Sequence, residues 1–199
     1  MLVKVFGSAV FGVEATTIIV EVNTEKGIGY HLVGLPDSAI KESSFRIAAA
    51  LKNNSYQFPG KKIIVNMAPA DLRKEGSAYD LTIAVGILAA SSQITSKAIE
   101  NYIIMGELSL DGTLQPIKGA LSIAIKAKEE GFKGVIIPVQ NVKEAAIVED
   151  LDVYGVSNVT EVIDFFEGKG NLEPTRIDTK EEFSKTLNFP EYDFADVKG

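Results

Sequence analysis

Ser77 and Lys118 are the two side chains of this sequence whose types could together support acyl transfer. A serine attacks a carbonyl when a neighbouring base accepts its proton, and a lysine serves as that base when burial keeps its amine neutral. Each of the two precedes an apolar helix pattern. Cysteine is absent and His31 is the only histidine, which excludes disulfides, thiol nucleophiles, the usual zinc ligand sets and a Ser-His-Asp triad. Hydroxyl, carboxylate and lysine chemistry remains.

The residues around Ser77 also fit a purely structural role. Ser77-Ala78-Tyr79-Asp80 matches a capping box, in which the Ser77 hydroxyl accepts from the Asp80 amide and the Asp80 carboxylate reaches back. Lys118 lies about a turn before a helix, where a lysine is usually solvated. We therefore expect Ser77 to cap a helix and Lys118 to lie exposed. His31 lies within a strand pattern, and we assign it no catalytic role.

Hydrophobic periodicity predicts the elements that must position these residues. The first 33 residues hold three β-rich runs, which predict an N-terminal β-meander. After Gly119 the pattern alternates helix, strand, helix, strand, helix up to Phe166, which is typical of right-handed βαβ units with parallel strands. The fold class predicted is α/β (α+β). Between these parts the sequence predicts a helix over 38–51, a strand over 61–67, a buried helix over 78–91 and two strands within 103–113 joined at Asp111-Gly112.

Length and composition predict one folded domain and a distinct C-terminal segment. The chain has 199 residues, of which 46% are hydrophobic, enough for a sizeable core. After Gly168-Lys169-Gly170 the composition becomes acidic, with scattered aromatic residues that lack a helical period. We predict a domain over residues 1–170 and a linker or docking arm over 171–199. The candidate docking residues of that arm are Phe189, Tyr192 and Phe194.

Net charge and hydropathy limit the partners that the chain can have. The formal net charge is -7 and the pI is about 4.9, so the chain lacks the overall basic footprint of most nucleic-acid binders. Any DNA contact must therefore be local. No apolar run reaches the ~20 residues that span a bilayer, and the N-terminus enters a strand pattern directly. These features predict a cytoplasmic protein without a membrane partner.

Residues 68–80 and 106–121 together resemble the catalytic domain of Lon protease. In Lon-type domains the serine lies in a Gly-Pro-Ser-Ala-Gly turn and the lysine in a Pro-Ile-Gly-Gly-Leu-Lys segment. With the flanking Lys-Glu-Gly and Pro-Ile sequences in register, the resemblance places the serine position on Ala78 and the lysine position on Leu121. Neither side chain can attack a peptide or accept a proton, so we expect a Lon-like fold that is not an enzyme.

A displaced dyad of Ser77 and Lys118 is opposed by helix geometry. A shift of one residue at a helix start turns a side chain by about 100°. Ser77 is one residue from the serine position, so we expect it not to face the cleft that Lys118 would line. A Lon-like peptidase with this displaced dyad is kept as the third functional hypothesis, behind the two that follow.

A second resemblance is carried by five segments, which are Gly34-Leu35-Pro36-Asp37, Ile40-Lys41-Glu42-Ser43, residues 48–53, residues 64–76 and residues 106–117. With them, the chain from Val3 to about Phe166 resembles the N-terminal, ChlI-like domain of the ComM/YifB family of magnesium-chelatase-like AAA+ ATPases. The resemblance implies a ribosomal protein S5 domain 2-like fold, shared with Lon, followed by an ATPase module that uses ATP and Mg2+. Residues 193–199 resemble the lead-in to that module. This chain contains no Gly-x-x-x-x-Gly-Lys-Ser/Thr loop, so we expect no cofactor here.

The second resemblance implies a non-catalytic accessory domain that aids ring assembly and DNA engagement in recombination and transformation, as in branch-migration helicases. The partners it implies are the protein's own AAA+ module, further copies in a hexamer, and branched or single-stranded DNA. The alternative is an oligomerisation or regulatory platform without DNA contact. The candidate DNA or inter-subunit contacts are Arg46, Lys61, Lys62, Arg73, Lys74 and Lys118.

Several carboxylates lie in turns near these motifs, and oxygen ligands of this kind bind Mg2+. Dispersed carboxylates in turns are usually solvated, so we expect no metal site in this chain. The carboxylates concerned are Asp71, Glu75, Asp80, Glu107 and Asp111.

Overall fold

The structure is a computed structural model that describes residues 1–177. Its strands are β1 (Leu2–Phe11), β2 (Glu14–Glu25), β3 (Gly29–Val33), β4 (Lys62–Ala68), β5 (Tyr102–Ile104), β6 (Glu107–Leu108), β7 (Leu114–Gln115), β8 (Gly134–Pro138) and β9 (Asp152–Val156). Its helices are α1 (Ser38–Lys41), α2 (Ser43–Asn53), α3 (Asp80–Ala90), α4 (Ala120–Glu129), α5 (Val142–Ala145) and α6 (Val159–Phe166). A seven-stranded sheet has the order β3-β4-β2-β1-β5-β8-β9, and β6 and β7 form a separate hairpin.

In the N-terminal half of the sheet, β2 pairs antiparallel with both of its neighbours, β1 and β4. β1 pairs with β2 along its whole length, from Leu2 opposite Asn23 to Phe11 opposite Glu14. β2 also pairs antiparallel with β4, and β3 joins the other side of β4 in parallel. β2 is rich in β-branched residues, and its side chains are buried alternately, as expected for a strand with one face on the core.

The C-terminal half of the sheet is parallel. β5, β8 and β9 pair in parallel, with α4 and α5 in the connections between them. Every residue of β8 is buried, as in parallel strands that are covered on both faces. β1 joins this half at one point, where Phe6 lies opposite Ile103 of β5. The two halves of the sheet therefore meet at a single bridge.

Helices cover both faces of the sheet at β1. Every residue of α3 is buried, and Gly86 lets this helix approach closely, because a Cβ there would come within 2.6 Å of Val22 and 2.9 Å of Val5. The start of α4 packs on Val10, since a Cβ on Gly119 would come within 2.9 Å of that side chain. Val5 and Val10 are an odd number of residues apart on one strand. They therefore face opposite sides of the sheet, and so do α3 and α4.

The predicted mixed α/β class and the βαβ alternation are confirmed. The predicted N-terminal meander is wrong in its third strand, because β4 lies between β2 and β3, and β3 pairs in parallel with β4. Three further details differ. The helix predicted over residues 38–51 is two helices, α1 and α2, which are interrupted at Glu42. The two strands predicted within 103–113 belong to different sheets, because β5 pairs with β1 and β8 whereas β6 pairs with β7. The helix predicted from residue 78 begins as a 3-10 turn over Ser77–Tyr79, which leads into α3.

The predicted C-terminal arm is described only as far as residue 177. Within that part, the Thr175 amide donates to the Val153 carbonyl of β9 at 2.8 Å, which places the start of the arm along the outer edge of the sheet. The predicted docking residues Phe189, Tyr192 and Phe194 lie outside the described residues. The boundary at residue 170 and the docking role both stay predictions.

Candidate functional site

A cleft with a volume of about 440 Å³ opens where β1 and β5 separate beyond their single bridge. Ligands commonly bind where neighbouring parallel strands diverge at their carboxyl ends. The first wall of the cleft is formed by residues 73–79, apart from Lys74, and the second wall by residues 116–118. The end of β1, residues 8–11, forms a third side, and the lining is completed by Met105, Glu107 and Ile123.

Lys74 holds the loop that leads to the first wall from inside the protein. Its side chain is fully buried, and its Nζ donates to the carbonyl oxygens of Gly34, at 2.9 Å, and Pro69. Burial lowers the pKa of Lys74, and the negative charge of Asp71 opposes that shift. The predicted contact role of Lys74 is therefore corrected, because its ammonium is not available to a phosphate or to another subunit.

Asp37 links the first wall to α1 through both carboxylate oxygens. Its Oδ1 accepts from the Ile40 amide at 2.9 Å, which caps α1, and its Oδ2 accepts from the Gly76 amide at 2.9 Å. Gly76 has a φ of 85°, a left-handed conformation that favours glycine. The Asp37 amide in turn donates to the Lys74 carbonyl at 3.0 Å. These contacts fix the turn at Gly76, which leads directly into residues 77–79 of the first wall.

A buried ion pair fixes the same wall at the start of α3. Arg46 donates from Nε to Asp80 Oδ2 at 2.6 Å and from Nη2 to Asp80 Oδ1 at 2.9 Å, a bidentate contact. The Leu108 amide donates to the same carboxylate at 3.2 Å, which adds the β6 hairpin to the assembly. Burial raises the pKa of Asp80, and the Arg46 guanidinium opposes that shift. The ion pair thus joins α2, α3 and β6.

This ion pair corrects two predictions. Arg46 was expected to contact DNA or another subunit, but its guanidinium is bound to Asp80 and to the Ala39 carbonyl, at 2.8 Å, inside the domain. The Asp80 carboxylate was expected to reach back to Ser77 in a capping box, but it binds Arg46 instead. The Ser77 hydroxyl donates to Glu107 Oε2 rather than accepting from the Asp80 amide. The capping box is therefore absent, and Ser77 joins the first wall to β6.

Ser77 and Lys118 line the same cleft, which corrects the expectation that Ser77 faces away from it. That expectation assumed a regular α-helix at residue 78, whereas the chain forms a 3-10 turn after the left-handed Gly76. Lys118 is exposed, as predicted, while Ser77 is partly buried. A lysine that acts as a general base is desolvated, and an exposed ammonium stays hydrated. The cleft therefore brings the two residue types together without the burial that the chemistry requires.

The second wall is held by one neutral side chain, that of Asn141. Asn141 Oδ1 accepts from the Ile117 amide at 2.8 Å, and Asn141 Nδ2 donates to the Ile117 carbonyl at 2.8 Å. Glu144 Oε1 accepts from the Leu121 amide at 3.0 Å, which satisfies one of the unpaired amides at the start of α4. Lys118 projects from a segment whose neighbours are thus fixed.

The positions that the Lon resemblance assigns to the dyad differ in where they lie. Ala78 lines the cleft, whereas Leu121 is partly buried on α4 and is not part of the lining. At these positions the chain presents a methyl group and an isobutyl group. The polar groups of the cleft include the hydroxyl of Ser77 bound to Glu107, the exposed ammonium of Lys118, and an ion pair between Arg73 and Glu75 at 3.0 Å.

The predicted basic contacts do not form one patch. Lys61 and Lys62 lie at the start of β4, where Lys62 pairs with Glu25 of β2 at 2.8 Å. Arg73 and Lys118 lie at the cleft, beside the part of β1 that pairs with the opposite end of β2. Because a strand rises about 3.3 Å per residue, the two pairs are at opposite ends of the sheet. Any phosphate contact from this chain is therefore divided between two places.

Among residues 1–177, no three His, Cys, Asp or Glu side chains come together where they could hold a metal ion. None of the helices in that part of the chain is long and apolar enough to cross a membrane.

Sequence reasoning missed the roles of three residues that shape the cleft. Glu107 lies within residues 106–117, which carry the family resemblance, but from the sequence it was considered only as a possible Mg2+ ligand. Asp37 entered the sequence analysis within the Gly34-Leu35-Pro36-Asp37 segment without an assigned partner, and Gly76, which it binds, lies 39 residues away. Asn141 had no local signal at all, because its partner Ile117 lies 24 residues away.

Comparison with known proteins places the chain in a family. Residues 20–141 match the family model ChlI, described as subunit ChlI of Mg-chelatase. The chain is 42% identical to the uncharacterized protein YifB of Salmonella typhimurium, over 83% of this chain and 33% of that protein. It is 39% identical to the competence protein ComM of Haemophilus influenzae, over 86% of this chain and 34% of that protein. The chain thus spans about a third of the length of these relatives.

A more distant similarity extends to proteases. The chain is 25% identical to the archaeal Lon protease of Methanocaldococcus jannaschii, over 80% of this chain and 26% of that protein. This agrees with the resemblance of residues 68–80 and 106–121 to the catalytic domain of Lon protease. The family match begins within β2 and ends at Asn141, so it covers both walls of the cleft. The chain belongs to the ChlI family, with YifB and ComM among its relatives.

Proposed function

We propose that this chain is a non-catalytic accessory domain of a magnesium-chelatase-like AAA+ ATPase, which aids ring assembly and DNA engagement in recombination and transformation in the cytoplasm. The observation that carries the proposal is the cleft itself. Its walls are held by buried polar contacts, yet the positions that the Lon resemblance assigns to a nucleophile and a base hold Ala78 and Leu121. A site kept rigid without its reactive groups favours binding over chemistry.

The buried contacts support an interaction role because they define shape. A buried ion pair such as that of Arg46 and Asp80 adds little net stability compared with apolar packing, but it restricts the arrangements that the chain can adopt. The elements that it joins are those that present the first wall. The ATPase module, with its ATP and Mg2+, is proposed for the part of the protein that the relatives have beyond this chain.

The test compares the longer protein with and without residues 1–170. We expect deletion to leave the intrinsic ATPase rate within about twofold, and to reduce the hexamer fraction and the binding of a branched DNA junction. Sedimentation velocity measures the hexamer fraction, and fluorescence anisotropy measures junction binding. Unchanged ring content together with unchanged DNA binding would overturn the proposal, whereas loss of the ATPase rate would assign the domain a catalytic part.

DNA engagement rests on three exposed basic residues, Lys61, Arg73 and Lys118. Each phosphate contact contributes a slope of roughly -0.7 to -0.9 to the dependence of log affinity on log salt, so three contacts from one domain are weak. In a hexamer, linked contacts raise the apparent affinity. Changing the three to glutamate should therefore weaken junction binding at low salt and flatten its salt dependence. The matched control changes three other exposed lysines to glutamate, Lys52, Lys97 and Lys143.

A second candidate function is an oligomerisation or regulatory platform without DNA contact. The observation that favours it is the internal use of two predicted contacts, since Lys74 is buried and Arg46 is bound to Asp80. For this candidate, both triple variants bind the junction equally and only the hexamer fraction responds to deletion of the domain. Equal binding by the two triple variants would therefore reject the DNA role and keep the accessory role.

The peptidase hypothesis has a direct test of its own. Incubation with unfolded casein should give no cleavage above that of the Ser77→Ala variant. Cleavage by the unaltered chain that this variant abolishes would establish a displaced dyad with Lys118 and overturn the non-catalytic assignment. Equal background in both samples leaves the assignment in place.

A further inference from the structure

One edge of β1 has no strand partner where it borders the cleft. β1 pairs with β2 from end to end, but on its other side it pairs with β5 only at Phe6. From residue 7 onward that side is without a neighbouring strand among residues 1–177, and residues 8–11 line the cleft. An unpaired strand edge is a template for an additional strand, because it presents backbone donors and acceptors at regular spacing.

The backbone groups on this edge can be identified from the pairing with β2. In an antiparallel pair, alternate residues direct both of their backbone polar groups toward the partner strand and the others direct them away. The Ser8 amide points away from β2, because it donates to the sulfur of Met105 at 3.2 Å. Val10, two residues further along, directs its amide and carbonyl to the same side. The cleft therefore receives the backbone groups of Ser8 and Val10.

The partner of the Ser8 amide is a weak one. A thioether sulfur is a poor acceptor compared with a peptide carbonyl. A methionine side chain has three rotatable bonds and adapts readily to a new neighbour. An incoming carbonyl can therefore displace Met105 and make a stronger hydrogen bond to Ser8. The Val10 groups are already on the open side of the strand.

The charges of the cleft lining indicate which side chain a bound strand would carry. Arg73 and Glu75 pair with each other, and Glu107 accepts from Ser77. Lys118 is the charged residue of the lining whose side chain has neither an ion pair nor a hydrogen bond within the described part of the chain. It lies on the second wall, next to Gly119, which packs on Val10. A segment paired with Val10 would thus pass beside the Lys118 ammonium.

We propose that the cleft binds an extended polypeptide segment as an additional β-strand on β1, with an acidic side chain of that segment facing Lys118. The main-chain groups of Ser8 and Val10 supply affinity with little dependence on sequence, and Lys118 supplies a preference for an acidic side chain. The inference concerns polypeptide binding by this chain alone. It does not rest on the proposed function, and its failure would leave the ring and DNA tests unaffected.

The test uses fluorescein-labelled peptides of alternating valine and threonine with glycine-serine ends and one central glutamate. Fluorescence anisotropy with the 199-residue chain should give saturable binding. A peptide that is N-methylated at alternate amides cannot pair along an edge, and losing two hydrogen bonds should weaken its binding about tenfold. Replacing the central glutamate by lysine should weaken binding by up to about fivefold, the range of an exposed ion pair.

Two variants of the chain test the same contacts from the protein side. Val10→Pro removes one cleft-side amide that the β2 pairing does not use, whereas the matched control Val10→Ala keeps that amide. We expect the proline variant to lose binding beyond the loss seen with alanine. Lys118→Glu should reverse the preference, so that the lysine peptide binds better than the glutamate peptide. If the proline variant does not fold, the N-methylated peptide still decides the question.

Three outcomes would overturn the proposal. The first is the absence of saturable binding by either peptide. The second is equal binding of the N-methylated and unmodified peptides, which would remove strand pairing as the cause. The third is complete displacement of the peptide by a short oligothymidylate, which would assign the cleft to nucleic acid.

Discussion

The two walls of the cleft are fixed by different kinds of group. The first wall is held by charged side chains that are partly or fully buried, namely Lys74, Asp37 and the pair of Arg46 and Asp80. The second is held by the neutral amide of Asn141. Burying a charge is costly unless it is well paired, so losing one partner on the first wall leaves an uncompensated charge. The same loss on the second wall leaves only neutral groups unsatisfied.

The two lysines associated with these walls differ in burial. Lys74 and Lys118 are the same residue type and were predicted to serve the same purpose. Lys74 is buried against two backbone carbonyls, and Lys118 is exposed on the rim. The difference arises because the segments that follow β3 and β4 leave the carbonyl oxygens of Gly34 and Pro69 facing Lys74, and its ammonium group satisfies them. The first lysine therefore stabilises the site, and the second is available to a ligand.

The largest expected effect is that of Asp80→Ala. This change leaves Arg46 and the Leu108 amide without their partner and should lower the free energy of unfolding by about 3–5 kcal/mol. Urea denaturation followed by circular dichroism measures the loss. The control Asp80→Asn keeps the shape and one acceptor and should cost less. A loss below about 1 kcal/mol for the alanine variant would contradict the distinct role of the first wall.

Lys74→Met should lower the free energy of unfolding by about 2 kcal/mol. The change leaves the carbonyl oxygens of Gly34 and Pro69 without a donor, and this cost exceeds the benefit of removing a buried ammonium. Urea denaturation at neutral pH measures the difference, with Lys118→Met as the matched exposed control. If both lysine variants were equally stable, the contrast between the two lysines would fail.

The pH dependence of the Lys74 effect has a defined sign. Burial lowers the pKa of Lys74 in the folded protein below the ordinary value of about 10.4. Between the two values the folded protein binds fewer protons than the unfolded chain, so the free energy of unfolding rises with pH. The advantage of the unaltered protein over Lys74→Met should therefore grow as the pH is raised toward about 10.4 and shrink as it falls through the folded pKa. Denaturation curves across the alkaline range would refute this if the difference stayed constant.

Asn141→Ala should lower the free energy of unfolding by about 1–2 kcal/mol, because the amide and carbonyl of Ile117 lose their partner. Asn141→Asp is the informative control, since a carboxylate still accepts from the amide but cannot donate to the carbonyl. Hydrogen exchange of the Ile117 amide should accelerate in the alanine variant. Slow exchange at that amide in both variants would show that the wall has another support.

The smallest expected effect on stability is that of Lys118→Ala. Its side chain is exposed and makes no ion pair within residues 1–177, so the free energy of unfolding should change by no more than about 0.5 kcal/mol. Binding of the glutamate peptide should weaken although the fold is unaffected. A stability loss as large as that of Lys74→Met would mean that both lysines are structural.

Periodicity in the sequence was enough to predict most of the fold. The β-rich run of β2, the almost entirely apolar α3 and the helix-strand pattern after residue 119 are local properties, and each was found as expected. The contacts that shape the cleft are not local. Lys74 was expected at the surface because lysines usually are, and its partner Gly34 lies 40 residues away. Such a pairing becomes visible only when the strands bring those backbones together.

The same limit explains the error at Ser77. The sequence around it matches a capping box, but Glu107 competes for the hydroxyl from 30 residues away and Arg46 competes for the Asp80 carboxylate from 34 residues away. A local motif predicts the outcome only when no stronger partner arrives through the fold. The exposure of Lys118 was predicted correctly because no such partner approaches it within the described residues.

Gly86 gives the core of the molecule a mechanical influence on the cleft. The helix α3 rests against β1 and β2 at this glycine and begins at Asp80, six residues earlier, which is about 9 Å along its axis. A methyl group at position 86 would push α3 away from β1 and β2, and the first wall, which is attached to the start of α3, would move with the helix. The width of the cleft therefore depends in part on a core residue that no ligand touches, so a substitution in the core can change what the cleft binds.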